Sequence, residues 1–256
     1  MDYSNFHQSQ LEQLRKTDLI RLFKLLPGKL GSVLEIGARD EYYSKLLSGL
    51  FDTVTALDLT CPNFQLERVS TVKGDVTRLD FLDDSFECVV ATEVLEHVRE
   101  IDKACGEISR VANKYVIVGV PYKQDLRVGR TTCFSCGQIS PPWGHLNTFD
   151  EKRLRDLFSS LEIVDIGFVG ENTNRTNPLS RSLMDAAGNP WGTYHEEAIC
   201  IHCGSNLITR PARSTLQRIY SAAAYRINLL QGLFIKPWPN WIHVLFRKDG
   251  STLPGF

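Results

Sequence analysis

No stretch of the chain offers the roughly 18 uninterrupted apolar residues that a membrane-crossing helix needs. The N-terminus, MDYSNFHQSQLEQLRK, lacks the basic start and apolar run of an export signal, so the expected setting is cytoplasmic, with no transmembrane segment. Internal repeats and low-complexity tracts are also missing. Hydrophobic residues make up 43% of the 256 residues and charged residues 23%, enough apolar material for a sizeable core without disulfides.

Net charge is nearly absent, at −1, but its distribution is uneven. Residues 198–248 contain no Asp or Glu and seven bases, Arg210, Arg213, Arg218, Arg226, Lys236, Arg247 and Lys248, which leaves residues 1–197 with 22 bases against 29 acids. A basic C-terminal fifth suits either a solvated face or contact with an anionic substrate, membrane surface or nucleic acid.

Apolar periodicity predicts an opening helix through Leu11, Leu14 and Ile20 to Leu26, ended by Pro27-Gly28. A short buried strand at 32–37, a helix from Glu41 capped by Asp40, and strands near 52–58, 69–72, 86–91 and 115–120 follow. A helix with Ile101, Cys105, Ile108 and Val111 on one face precedes the last of these. Strands alternating with helices imply an α/β, Rossmann-like sheet, mostly parallel. Beyond it the pattern predicts a helix near 150–159, a strand at 162–169, an Asn- and Gly-rich loop, a helix near 214–230 and a final strand at 241–246. The division expected is an N-terminal helix (1–29), a core (30–125), a first Cys-containing loop (126–147), a helix and strand returning to the core (148–170), an insertion (171–235) and a closing strand with tail (236–256). The stripe Leu216, Ile219, Tyr220, Ala223, Ile227 and Leu230 is expected to pack on the core, with contact to anionic lipid as the alternative.

In an open α/β sheet, ligands bind beyond the carboxyl ends of the strands, which makes the turn Glu35-Ile36-Gly37-Ala38-Arg39-Asp40-Glu41 the candidate cofactor site. Asp58, 21 residues after Gly37, stands where a carboxylate can accept bonds from ribose hydroxyls. The turn lacks the second and third glycines of a dinucleotide fingerprint. Asp40 and Glu41 would oppose a pyrophosphate, and this disfavours NAD and FAD. An adenosine cofactor with no phosphate and a sulfonium cation fits better.

The segments VLEIGARDEYYSKLL, VTALDL, KGDVTRLDF, DDSFECVVATEVLEHV and YVIVGVPY, in that order and spacing over residues 30–125, resemble the class I S-adenosylmethionine-dependent methyltransferases. The similarity is greatest to the small-molecule group that includes the ubiquinone and menaquinone enzymes. That resemblance implies S-adenosylmethionine as cofactor, with Glu35 and Gly37 near its methionine part, Asp58 on the ribose, Asp75 and Val76 flanking the adenine, and Glu93 beside the cofactor at the exit of the fourth strand. It also implies a sheet with an antiparallel last strand. Arg39 and Glu41 replace glycines usual in the family.

Cys133-Phe-Ser-Cys136-Gly and Cys200-Ile-His-Cys203-Gly are two C-x-x-C-G knuckles, a pattern suited to four thiolates around a structural Zn2+ in a small accessory cap. His145, His195 and His202 are the alternative ligands. Cys61, Cys88 and Cys105, isolated among apolar neighbours, are expected in the core.

Gly144-His145 follows the first knuckle, and the resemblance places such a segment beside the substrate opening. An imidazole there can accept a proton from an attacking hydroxyl or amine, and His145 is the candidate base. Tyr122 is a weaker candidate. The expected partner is a small-molecule or saccharide acceptor, including anionic and lipid-linked ones, methylated at a hydroxyl or alternatively an amine. Nucleic acid is disfavoured because Asn-Pro-Pro-Tyr and Pro-Cys signatures are missing, and a non-catalytic binding module is the remaining rival.

Overall fold

The computed structural model describes residues 9–28, 30–195 and 198–248. The first eight residues and the tail after 248, both assigned above to terminal segments, lie outside the described residues. The chain divides into two compact units. One comprises the chain up to Tyr122, Phe149–Gly170 and the chain from Pro239; the other comprises Lys123–Thr148 and Glu171–Trp238.

The first unit opens with helix α1 (Gln10–Phe23), started by the Ser9 side chain, which accepts from the Glu12 backbone N–H. Strand β1 (Leu30–Ile36) and helix α2 (Glu41–Ser48) follow. Asp40 caps α2 by accepting from the Tyr42 backbone N–H at 2.9 Å, as its residue type and position predict. Next come β2 (Phe51–Asp58), β3 (Val69–Lys73), β4 (Phe86–Thr92), α3 (Ile101–Val111) and β5 (Ala112–Pro121). Ile101, Ala104, Cys105, Ile108 and Val111 of α3 are all buried, the single face anticipated from their spacing.

The second unit contributes a two-stranded hairpin, β6 (Thr131–Thr132) with β7 (Ile139–Ser140). The chain then returns to the first unit for α4 (Glu151–Leu157) and β8 (Leu161–Val169). The second unit resumes with α5 (Pro178–Ala186) and α6 (Thr215–Gly232), and β9 (Trp241–Lys248) completes the first.

The seven strands of the first unit form one sheet in the order β3-β2-β1-β4-β5-β9-β8. β1 to β5 run parallel, while β9 pairs antiparallel with both β5 and β8. The order reverses at β1 and β4, the switch point where a ligand crevice is expected. Strands buried on both sides carry nearly continuous apolar runs, as in β5, where Tyr115, Val116, Ile117, Val118 and Val120 are essentially inaccessible. α1 is tied to the sheet through Asp18, which accepts from the buried His243 Nδ1 at 2.8 Å.

Three sequence expectations are corrected. The Asn- and Gly-rich loop contains α5, which begins at Asn177-Pro178 with the Asn side chain accepting from the Ser180 backbone N–H. Cys88 and Cys105 are core residues, whereas Cys61 is exposed just after β2. The apolar stripe of α6 does not pack on a core: Leu216, Ile219 and Leu230 are 55%, 59% and 64% exposed. The helix turns a polar face inward instead.

Candidate cofactor and metal sites

Gly37 ends β1 with φ +84, a conformation that glycine adopts without steric cost. Its N–H donates to the Leu57 carbonyl at 2.8 Å, which holds the turn against the end of β2. A Cβ here would lie 2.4 Å from Val94 Cγ2. Gly74 has a similar role below the adjacent loop, where a Cβ would meet Leu57 Cδ1 at 2.7 Å.

These close approaches open a cavity of about 520 Å3 at the carboxyl ends of β1, β2 and β4. Glu35, Gly37, Asp58, Asp75, Val76 and Glu93, separated widely in sequence, all line it. Arg39, Asp40, Tyr43, Thr92, His97 and Arg99 line it too. Of these, Tyr43 is predictable in principle, because it lies three residues after the cap of α2. Glu41 is exposed on the first turn of α2, where its carboxylate faces the positive end of the helix.

Glu35 is buried, and burial pushes its carboxyl up to about 7; the Ser44 hydroxyl, which donates to it, opposes the shift, and Asp40 adds to it. Asp58 sits at the end of β2 and accepts from the Thr60 backbone N–H at 3.0 Å. Asp75 accepts from both the backbone N–H and the hydroxyl of Thr77, at 2.8 and 2.9 Å, which fixes the turn carrying the buried Val76. Glu93 leaves β4 in a left-handed conformation, φ +60, with its N–H on the Gly119 carbonyl at 3.0 Å.

Glu93 also pairs with Arg15 of α1, a residue no sequence motif marks. Arg15 is 2% exposed, bonds Glu12 at 2.8 Å and lies 3.8 Å from the centre of the Trp241 ring. Burial works against the guanidinium's charge, but the Glu93 and Glu12 carboxylates outweigh it and hold its pKa above the usual value. Tyr43 closes the network by donating to Glu12.

In the second unit, the four knuckle sulfurs converge. Cys133 and Cys203 Sγ are 3.7 Å apart, as are Cys136 and Cys200, and all four lie within 4.8 Å of one another. Tetrahedral thiolates about 2.3 Å from zinc would be separated by about 3.8 Å, so the cluster fits that ion. The two knuckles match in backbone: Gly137 N–H donates to Cys133 O and Gly204 N–H to Cys200 O, each at 2.9 Å. His202 contacts the Ile139 carbonyl and His195 stacks near Trp143, so the histidines have other partners than the thiolate cluster.

His145, also in the second unit, is buried and holds Nδ1 2.6 Å from Gln124 Oε1. Tyr122, in the first unit, donates to Glu151 at 2.8 Å and packs edge-on against Phe168. It is a hydrogen-bonded core-edge aromatic.

Residues 34–117 match the family described as Methyltransferase domain. The whole chain also resembles solved structures at low identity. The candidate methyltransferase BH2331 of Bacillus halodurans C-125 superposes with a TM-score of 0.57 at 11% identity, covering 92% of this chain and 100% of that one. The N-methyltransferase NodS of Bradyrhizobium japonicum WM9, solved with S-adenosylhomocysteine, gives 0.53 at 12%, covering 96% and 91%. The [4+2]-cyclase SpnF gives 0.53 at 16%, covering 95% and 84%. No curated protein matches the sequence. Residues 34–117 are thus similar to a methyltransferase domain, and the chain has the fold of the class I methyltransferase structures on which it superposes.

Proposed function

We propose that the chain transfers a methyl group from S-adenosylmethionine to a hydroxyl of a small molecule or saccharide, with an amine as the alternative acceptor atom. The carrying observation is the convergence of Glu35, Asp58, Asp75 and Glu93 on one cavity that lacks a phosphate-binding glycine loop. That acidic lining opposes a pyrophosphate and suits a cofactor bearing an ammonium, a sulfonium and ribose hydroxyls. Asp58 accepts from the ribose hydroxyls, Asp75 and Val76 flank the adenine, Glu35 and Gly37 face the methionine part, and Glu93 lies beside the cofactor at the end of β4.

When bound, S-adenosylmethionine supplies a methyl carbon already activated by its sulfonium. The remaining catalytic task is alignment of the acceptor, for which positioning alone can contribute several kcal/mol, on the order of 7 or more in well-oriented systems. His145 is assigned to take up the acceptor's proton. The four cysteines hold a structural Zn2+, since four thiolates leave no coordination position for substrate.

Calorimetry with S-adenosylmethionine and S-adenosylhomocysteine, on protein of known zinc content, tests this reading. Wild type should bind both, and Asp58→Ala should bind at least tenfold more weakly. Folded, zinc-replete wild type that binds neither would overturn the enzyme assignment and leave a non-catalytic module on a methyltransferase fold.

A further inference from the structure

Helix α6 is inverted relative to its sequence pattern. Gln217, Ser221, Ala224, Asn228 and Gln231 follow alternating spacings of four and three, which aligns them along one side of the helix. This polar side packs inward. Asn177 donates to Gln231 at 2.6 Å, Thr176 to Asn228 at 2.8 Å, and Gln217 to the Ala186 carbonyl at 3.3 Å. The apolar side chains are left outside: Leu216, Ile219, Leu229, Leu230, Leu233 and Phe234 are all exposed, Phe234 at 86%.

The charge carried by this segment of the chain is of one sign. Arg218 and Arg226 on the helix and Lys236 just beyond it are exposed, and residues 198–248 supply no carboxylate. The other bases of that segment are engaged elsewhere. Arg247 pairs with Glu162 and Lys248 with Asp84, both in the first unit, while Arg213 donates to Ser221 and Arg210 lies over the Tyr194 ring. Arg218, Arg226 and Lys236, which have no ion-pair partner among the described residues, therefore lie with the exposed apolar residues.

We propose that this face of α6 docks on an anionic lipid bilayer, with the helix lying in the interface plane. An apolar stripe beside arginines is the composition of an interfacial helix, where apolar burial and attraction to anionic headgroups act together. A second copy is a poorer occupant. A two-fold contact would bring the same arginines against one another with no acid in the segment to pair them. No helix among the described residues is long and apolar enough to cross a membrane, so the contact is peripheral. The inference does not rest on methyl transfer.

The test is sedimentation of the full-length, zinc-replete protein with large vesicles of phosphatidylcholine alone or of phosphatidylcholine with phosphatidylglycerol. Binding should appear on the anionic vesicles and weaken with added salt. Each near-surface cation contributes about fivefold in partitioning, so Arg218→Gln with Arg226→Gln should lower it at least tenfold. Ile219→Ser with Leu230→Ser should do the same by removing the inserted apolar groups. All four positions are exposed, and circular dichroism with zinc analysis checks that folding is retained. Failure of wild type to pellet at low salt, equal pelleting with neutral vesicles, or insensitivity to both double variants overturns the proposal. So does a dimer that the apolar variant dissociates in place of vesicle binding, or salt-sensitive RNA binding that the arginine variant abolishes. Calorimetry on the same preparation reports cofactor binding separately, which distinguishes failure here from failure of the enzyme assignment.

Discussion

Arg15 of the first helix and Glu93 at the exit of β4 form an ion pair 78 positions apart in sequence, and it links α1 to the rim of the cofactor cavity. Glu12 and the face of Trp241 complete the surroundings of the guanidinium. The charge is buried, so removing it strands two carboxylates. Arg15→Met is expected to destabilise the protein by about 3–5 kcal/mol in urea titrations. Glu93→Gln in the Arg15→Met background should recover part of that loss, because one stranded charge is gone. Equal stability of Arg15→Met and wild type would remove the pair from any structural role.

Glu96 gives a stability signal that varies with pH. Burial, with a smaller contribution from the Glu93 charge, pushes its carboxyl up to about 8, against an ordinary value of 4.5. The folded state therefore retains a proton that the unfolded state releases. This contribution to stability is fully present below the ordinary carboxylate value and is lost as pH rises through about 8. Glu96→Gln should remain stable where wild type weakens, by a few kcal/mol in order of magnitude above that pH. A second, smaller loss from Glu35, complete once the pH has passed about 7, should persist in the variant. Denaturant midpoints measured across this range decide the matter, and parallel curves for the two proteins would contradict the burial argument.

The sheet was legible because its strands are buried on both faces, and burial demands the apolar runs seen at 88–91 and 115–120 and, broken only by Glu35, at 33–36. Asp40 was legible as a cap for an equally local reason. Arg15 was not: it carries no motif, and its partners Glu93 and Trp241 come from distant strands that only the folded sheet brings together. α6 misled in a more instructive way. Periodicity reports that one helix face is apolar but not whether that face meets protein, and here the polar side found hydrogen-bond partners on α5 and its preceding loop. α5 itself was available from Asn177-Pro178, a cap followed by proline at the first helical position, but surrounding Asn and Gly residues masked it.

The thiolate cluster makes a quantitative demand. Purified under reducing conditions, the chain should carry one zinc per molecule, and cobalt substitution should give the intense absorption of tetrahedral thiolate coordination. Cys200→Ser should lower both metal content and thermal stability, because metal binding and folding are coupled at such sites. Cys61→Ser should change neither, since Cys61 is exposed and lies in the other unit. Retention of a full zinc complement after loss of Cys200 would exclude the four-cysteine set.

Gly37 tests the cofactor turn itself. Any larger residue there meets two obstacles, a backbone at φ +84 and Val94 Cγ2 only 2.4 Å from the new Cβ. The conformational part costs an alanine about 1–2 kcal/mol, and the overlap adds a strain of about 1–3 kcal/mol. Gly37→Ala should therefore lower both folding stability and S-adenosylhomocysteine affinity, the latter by tenfold or more. Adding Val94→Ala removes the overlapping methyl but leaves the backbone conformation unchanged. The double variant should recover the steric share of the loss and retain the conformational share. Full recovery would mean that packing alone holds the turn, and wild-type affinity in Gly37→Ala would mean that the cofactor does not depend on this turn at all.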